Sequence, residues 1–171
     1  MIDCGMSGVN GCNATYPHAA YKYIQSKGLP ALKDYKFLQG KQDVCQEGKR
    51  KVTKIKQFHE IIGNSDKDVL RFAINKRSPV VVVLSGVDAE KSLLTITAGA
   101  LDDTRWCGTS STARHAVLAV GYDFTNKETF TIKNSWGEGW GEGGYADIVA
   151  THCGLLDNPS YPIVTQEDIL E

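Results

Sequence analysis

Pro79 divides this 171-residue chain into two kinds of sequence, and no other feature constrains the fold as strongly. After it, four runs read as strands: Pro79–Ser85, His115–Phe124, Thr129–Asn134 and Tyr145–Ala150, separated by turns such as Thr125-Asn126-Lys127. Before it the signals are helical. A helix is expected over Thr15–Lys27, with Thr15 as cap, Pro17 in the first turn and Gly28 at its end. Tyr16, Ala20, Tyr23 and Ile24 keep helical spacing and are expected to pack inward. Ser65-Asp66-Lys67-Asp68 resembles a capping box that opens a second helix through Val69, Phe72 and Ala73 to near Arg77. Leu29 to Gln57 has little periodicity and reads as a loop-rich connection pinned by Cys45. Helices first and an antiparallel sheet later define an α+β chain with the two kinds of structure segregated. At this length that is one compact domain or two small lobes.

Composition mainly excludes. A net charge of -1 gives no bulk attraction to nucleic acid or to an anionic membrane, so neither is expected as a partner. The longest apolar run, Pro79 to Leu84, is too short to span a bilayer, and Met1-Ile2-Asp3-Cys4 has no signal-peptide character. The five cysteines, Cys4, Cys12, Cys45, Cys107 and Cys153, form no CxxC pair and no zinc-ligand spacing. No metal and no cofactor are expected. A disulfide framework fits better, with one cysteine left over.

Two segments carry the chemistry. Arg114-His115-Ala116-Val117-Leu118-Ala119-Val120-Gly121-Tyr122 places a histidine at the start of a strand. Ile132-Lys133-Asn134-Ser135-Trp136-Gly137-Glu138-Gly139-Trp140-Gly141-Glu142-Gly143-Gly144-Tyr145 places an asparagine at the end of a later one. Antiparallel pairing brings such positions to the same sheet end, where an amide can orient an imidazole. A lone histidine there is ordinarily structural. Histidine, then asparagine, then a Trp/Gly-rich turn is a specific pattern, similar to the histidine and asparagine–serine–tryptophan regions of the papain-like cysteine peptidases.

The resemblance runs from Ile2 to about Pro162. Ile2-Asp3-Cys4, Gly11-Cys12-Asn13 and Tyr16-Pro17-His18-Ala19-Ala20 resemble the turn after the family's central helix and the helix that follows. Ser78-Pro79-Val80-Val81-Val82-Val83 resembles the strand lining its cleft, and Cys153-Gly154-Leu155 with Tyr161-Pro162 its closing segment. The fold implied is the papain-like two-lobe fold, incomplete, with about 1–75 the remainder of the helical lobe and about 76–171 the β-barrel-like lobe. His115 is implied as general base and acid for a cysteine thiolate, whose pKa the adjacent cation depresses. Asn134 is implied as its orienter, Trp136 as a shield over their contact, and Trp140 as an aromatic on the primed side. Val83, Ala116 and Asn158 are implied to line the pocket for the side chain two residues before the scissile bond, which should then prefer aliphatic or aromatic groups. Cys4–Cys45 and Cys107–Cys153 are the implied disulfides. The partners implied are peptide or protein substrates, a missing N-terminal segment or light chain, and cystatin-like inhibitors; the implied location is lysosomal, vacuolar or secreted.

The nucleophile itself has no counterpart here. It should precede the histidine by about 130 residues, which lands roughly 15 residues before Met1. No Cys-Gly-Ser-Cys-Trp-like run exists in the chain, and the oxyanion-hole glutamine belongs to the same stretch. Losing one such donor costs about 3–4 kcal/mol of transition-state stabilisation. The resemblance also puts the partner of Cys12 in that stretch. The chain is therefore expected to be inactive alone, the His/Asn half of a cysteine endopeptidase. The alternative is a non-catalytic papain-fold binding protein or antigen.

Three departures bear on that choice. Ala14-Thr15 stand where the family has two glycines, so Thr15 is expected at the cleft wall with substrate approach impaired. Arg114 precedes the histidine where plant members carry aspartate. Asn13-Ala14-Thr15 is a glycosylation sequon. Two further signals are set aside. Gly139-Trp140-Gly141-Glu142-Gly143-Gly144 fits a dinucleotide fingerprint, but a strand follows it where a helix is needed. Lys49-Arg50-Lys51 with Lys54 and Lys56 reads as a solvated loop or a lysine-guarded edge strand.

Overall fold

The structure, a computed structural model, describes residues 4, 15–36, 45, 51–63, 66–76, 78–85, 93, 94, 96, 101 and 114–164. The chain order is α1 (Pro17–Lys27), β1 (Leu29–Pro30), β2 (Val52–Thr53), β3 (Gln57–Glu60), α2 (Lys67–Lys76), β4 (Val80–Ser85), β5 (Arg114–Asp123), β6 (Thr129–Lys133), β7 (Tyr145–Val149), a 3-10 turn (His152–Gly154) and β8 (Ser160–Ile163). The class is α+β, as the sequence implies. Two compact units divide it: Met1–His59 with Pro162–Glu171, and Glu60–Tyr161. Helix α2 packs on β4 and β5 within the second unit.

In the first unit, α1 begins at Pro17 with Tyr16 as N-cap, so Thr15 is not the cap. No side chain caps the helix; Pro17 lacks an N–H to satisfy and its fixed φ starts the turn. The C-terminus follows expectation, with Gly28 at φ 75 and its N–H donating to the Ile24 carbonyl at 2.9 Å. The inward face differs from the one read off the sequence. Tyr21 is the buried residue and stacks on Phe58 at 5.1 Å, whereas Tyr16 is exposed. The partner ring, 37 positions along, chooses the face. β1 and β2 pair antiparallel, Leu29 opposite Thr53, inside a stretch expected to be loop. Cys4 and Cys45 are joined as the resemblance implied.

Strands β4, β5, β6 and β7 build the second unit; the sheet they belong to is ordered β3-β8-β4-β5-β6-β7. β4 alternates strictly: Val80, Val82 and Leu84 are buried, Val81, Val83 and Ser85 half-buried. Period-2 alternation is what a pleated strand imposes. The buried set meets Val117 and Ala119 of β5 across the strand, then Ile132 of β6 and Ala146 of β7. Phe130 and Ile148, fully buried, pair across β6 and β7. Each such side chain contributes about 1.5–3 kcal/mol by leaving water. A bulge between Ala119 and Gly121 shifts the β5–β6 register by one residue.

Helix α2 starts from Asp66, whose Oδ1 accepts the Asp68 N–H at 3.0 Å. Leu70 and Ala73 face the core, while Val69 and Phe72 point to solvent. Cys153 is also disulfide-bonded. Cys12, Asn13 and Cys107 lie outside the described residues.

Candidate active site

His115 is the second residue of β5 and stands opposite Leu84. Across β6, Leu118 pairs with Lys133, so one further step sets Asn134 opposite Val117. Asn134 and His115 are then diagonal neighbours on one face, close enough for side chains to meet. They do. His115 Nε2 and Asn134 Oδ1 are 3.0 Å apart.

The proton on this bond follows from a second contact. The Ser135 backbone N–H donates to the same Oδ1 at 2.8 Å. A backbone N–H can only donate, so that atom is the amide oxygen and not the nitrogen. The oxygen only accepts, so His115 Nε2 carries the hydrogen and donates. In the neutral ring Nδ1 is therefore the nitrogen free to accept a proton. Asn134 is 7% exposed, which shelters the bond from competing water, and its Nδ2 makes no hydrogen bond among the described residues.

The Trp136 ring lies 5.0 Å from the imidazole, tilted by 40°. Trp140 meets Trp136 edge-on at 5.9 Å and is pinned by its indole N–H donating to the Leu93 carbonyl at 3.0 Å. Both tryptophans ride on a turn that closes on itself. The Gly144 N–H donates to the Trp140 carbonyl at 2.8 Å, and the Asn134 N–H to the Gly144 carbonyl at 3.0 Å. Gly141 is required here: at φ +54, a Cβ would lie 2.2 Å from the Tyr145 carbonyl oxygen. The turn leads into β7, not a helix, so the glycine pattern is a turn and not a phosphate cradle.

Val83 and Ala116 are cross-strand partners on the face of β4 and β5 opposite the Val80–Val82–Leu84 core. Val81 pairs with Ser160 on the other side, and continuing that register by two sets Asn158 level with Val83. The three residues thus form a row across β5, β4 and the turn that leads into β8. Asn158 has φ 50, and its Oδ1 accepts the Gly63 N–H at 3.1 Å. Its side-chain oxygen is therefore committed to holding the chain. Thr15 is exposed and belongs to the other unit.

Two contributors escaped sequence reading. Ser135 acts through its backbone, and an Asx-type contact to the preceding side chain was a findable signal. Leu93 acts through a carbonyl 47 positions from Trp140, for which the sequence holds no signal.

Comparison with known proteins gives a consistent answer. The profile of papain family cysteine proteases matches residues 1–163. Cysteine proteinase 1 of Entamoeba histolytica is 31% identical over 167 residues, covering 95% of this chain and 51% of that protein. A cathepsin L-like proteinase of Phaedon cochleariae is 29% identical, covering 96% and 50%. Digestive procathepsin L 3 of the Tenebrio molitor larval midgut shares the fold with a TM-score of 0.81 at 30% identity, covering 95% of this chain and 53% of that one. The chain spans about half the length of the curated relatives it matches. From residue 1 to residue 163, this chain belongs to the papain family of cysteine proteases.

Proposed function

We propose that His115 and Asn134 are the base and orienter of a cysteine endopeptidase whose thiol is supplied from outside these 171 residues. The hydrogen bond from His115 Nε2 to Asn134 Oδ1 carries the reading, because it leaves Nδ1 as the proton-exchanging atom. In the forward step Nδ1 takes the thiol proton, giving a thiolate beside an imidazolium. The thiolate adds to the scissile carbonyl carbon, and the carbonyl π pair moves to oxygen. Collapse expels the amine, which receives the proton from Nδ1. A water, deprotonated by the same nitrogen, then releases the acid and regenerates the thiol.

Trp136 supports the step by covering the His–Asn bond, and Trp140 extends the aromatic wall on the leaving-group side. Val83 and Ala116 offer an apolar surface for an aliphatic or aromatic substrate side chain, with Asn158 at its edge. Peptide substrates, cystatin-like inhibitors and an oxidising lysosomal, vacuolar or secreted setting follow from the same reading; the Cys4–Cys45 bond supports that setting.

The test uses an epoxide inhibitor of cysteine peptidases. The 171-residue chain should form no adduct, and the chain extended upstream in its own reading frame should form one, on a cysteine within the extension. An adduct on the short chain would place the nucleophile within it. No adduct on the extended chain would instead support the non-catalytic binding protein.

A further inference from the structure

The turn that carries the two tryptophans is acidic in a chain that is almost neutral. Between Asn134 and Gly144 stand Glu138 and Glu142, with no lysine, arginine or histidine among them, against a net charge of -1 for all 171 residues. Glu138 has a defined place. The Trp140 N–H donates to the Gly137 carbonyl at 3.3 Å, which closes a four-residue turn with Glu138 as its first central residue. The Gly144 N–H returns the chain to the Trp140 carbonyl at 2.8 Å, and a Cβ on Gly144 would stand 3.9 Å from the Glu138 Cα. The backbone of Glu138 is thus held from both sides, while its side chain is exposed. No cation among the described residues pairs with it. The cations beside His115 and Asn134 in sequence are turned elsewhere. Arg114 stands opposite Ser85 on the other face of β5 from His115, and Lys133 lies 5.6 Å from the centre of the Tyr145 ring.

We propose that Glu138 and Trp136 recognise a basic side chain, lysine or arginine, within the first two residues after the scissile bond. The assignment rests on the peptidase reading of His115 and deepens it. The leaving amine must take its proton from His115, so the residues that follow the scissile bond pass beside the imidazole and whatever lies against it. Trp136 lies against it, with 5.0 Å between ring centres, and is half-buried, so part of its ring remains open. Trp140, edge-on at 5.9 Å and anchored through its indole N–H, gives Trp136 a fixed neighbour. Glu138 is two positions further along, at most about 7 Å from Trp136 between Cα atoms, a gap that a lysine side chain bridges. A cation there meets the electron-rich face of an indole and a carboxylate together. A neutral side chain gains neither attraction, and an acidic one is repelled by both glutamates. A metal ion is the other cation to consider, but among the described residues no group of three His, Cys, Asp or Glu is placed to hold one.

Quenched peptides that differ only in lysine or norleucine at the first or second position after the scissile bond are compared on the chain extended upstream. At one of the two positions lysine should raise kcat/KM about three- to tenfold over norleucine, as an exposed ion pair and an exposed cation–aromatic contact together imply. The preference should shrink as salt is added. Glu138→Gln should bring the ratio close to one. Glu142 lies beyond Trp140, with its N–H tied to the Tyr145 carbonyl at 2.8 Å, so Glu142→Gln should keep most of the preference. No preference at either position, a ratio untouched by Glu138→Gln, or equal loss from Glu142→Gln would each overturn the assignment. A second measurement needs no nucleophile. In the 171-residue chain at constant ionic strength, N-acetyl-lysine methylamide should shift the Glu138 carboxyl carbon and the Trp136 indole N–H signals more than its norleucine analogue does. Equal shifts from the two would overturn the cation site even if the extended chain cuts nothing. Selective shifts without cleavage or an epoxide adduct would uphold that site and count against the peptidase reading alone.

Discussion

Replacing Gly141 by alanine tests whether a close approach to Tyr145 holds the turn that carries the two tryptophans. Two separate costs arise. An L-residue at φ +54 is held in the left-handed region, at about 1–2 kcal/mol. The added Cβ also meets the Tyr145 carbonyl oxygen at 2.2 Å, whereas ordinary contact begins at 3.4 Å, so something must move by about 1.2 Å. That oxygen accepts the Glu142 N–H at 2.8 Å, and the Tyr145 N–H returns a bond to the Glu142 carbonyl at 3.1 Å. Losing both adds about 1 kcal/mol each, for a total of about 3–4 kcal/mol. Neighbouring glycines separate the terms. Gly143 has φ +63 but open space, so Gly143→Ala should cost about 1 kcal/mol. Gly139 has neither constraint, and Gly139→Ala should be neutral or stabilising by up to about 1 kcal/mol. Guanidinium unfolding of the three variants, followed by tryptophan fluorescence with the slope held common, gives the ranking. If Gly141→Ala and Gly143→Ala cost the same, the close approach to Tyr145 is wrong.

Two further predictions concern the strand ends. Asn134→Ala removes the acceptor for His115 Nε2, a bond worth about 1 kcal/mol net, so a chain extended upstream to carry the proposed nucleophile should lose about fivefold in kcat/KM. In the same variant the Nε2-protonated tautomer should lose its dominance in nitrogen-15 spectra recorded at high pH, and an unchanged tautomer population would show that Asn134 does not set it. Asp123 accepts the Thr125 N–H and hydroxyl at 2.8 and 2.7 Å, which hold its carboxyl below its ordinary value of 3.8. A depressed folded pKa means stability that is present above the unfolded value and lost as pH falls through the folded one. Carbon-13 titration should place Asp123 below 3.8, and Thr125→Val should move it upward; no movement would refute the assigned cause.

The larger part of the sheet was legible because burial on one face writes itself into every second residue. Val80, Val82 and Leu84 announce β4 with no knowledge of its partners. β1, β2, β3 and β8 were not legible, since runs of two to four residues are too short to show a period and are defined by distant partners. Helix α1 was legible as a helix but not in its orientation, because Phe58 decides which face Tyr21 presents. The Asn134–His115 pair could be anticipated from two strand ends. Its tautomer could not, since that depends on where the Ser135 N–H points. The bulge before Gly121 left no readable mark, although it sets which β5 residues meet β6.

The alternation in β4 separates two kinds of selective pressure along adjacent positions. Val82 answers to the core, where a lost methylene leaves a void and lowers stability. Val83, one residue on, faces the row shared with Ala116 and Asn158 and has no core to fill. A lineage could therefore exchange residues at Val83, changing what this surface accepts, while the fold pays almost nothing. A library randomised at odd-numbered positions of β4 should retain folded members at high frequency; one randomised at even positions should not.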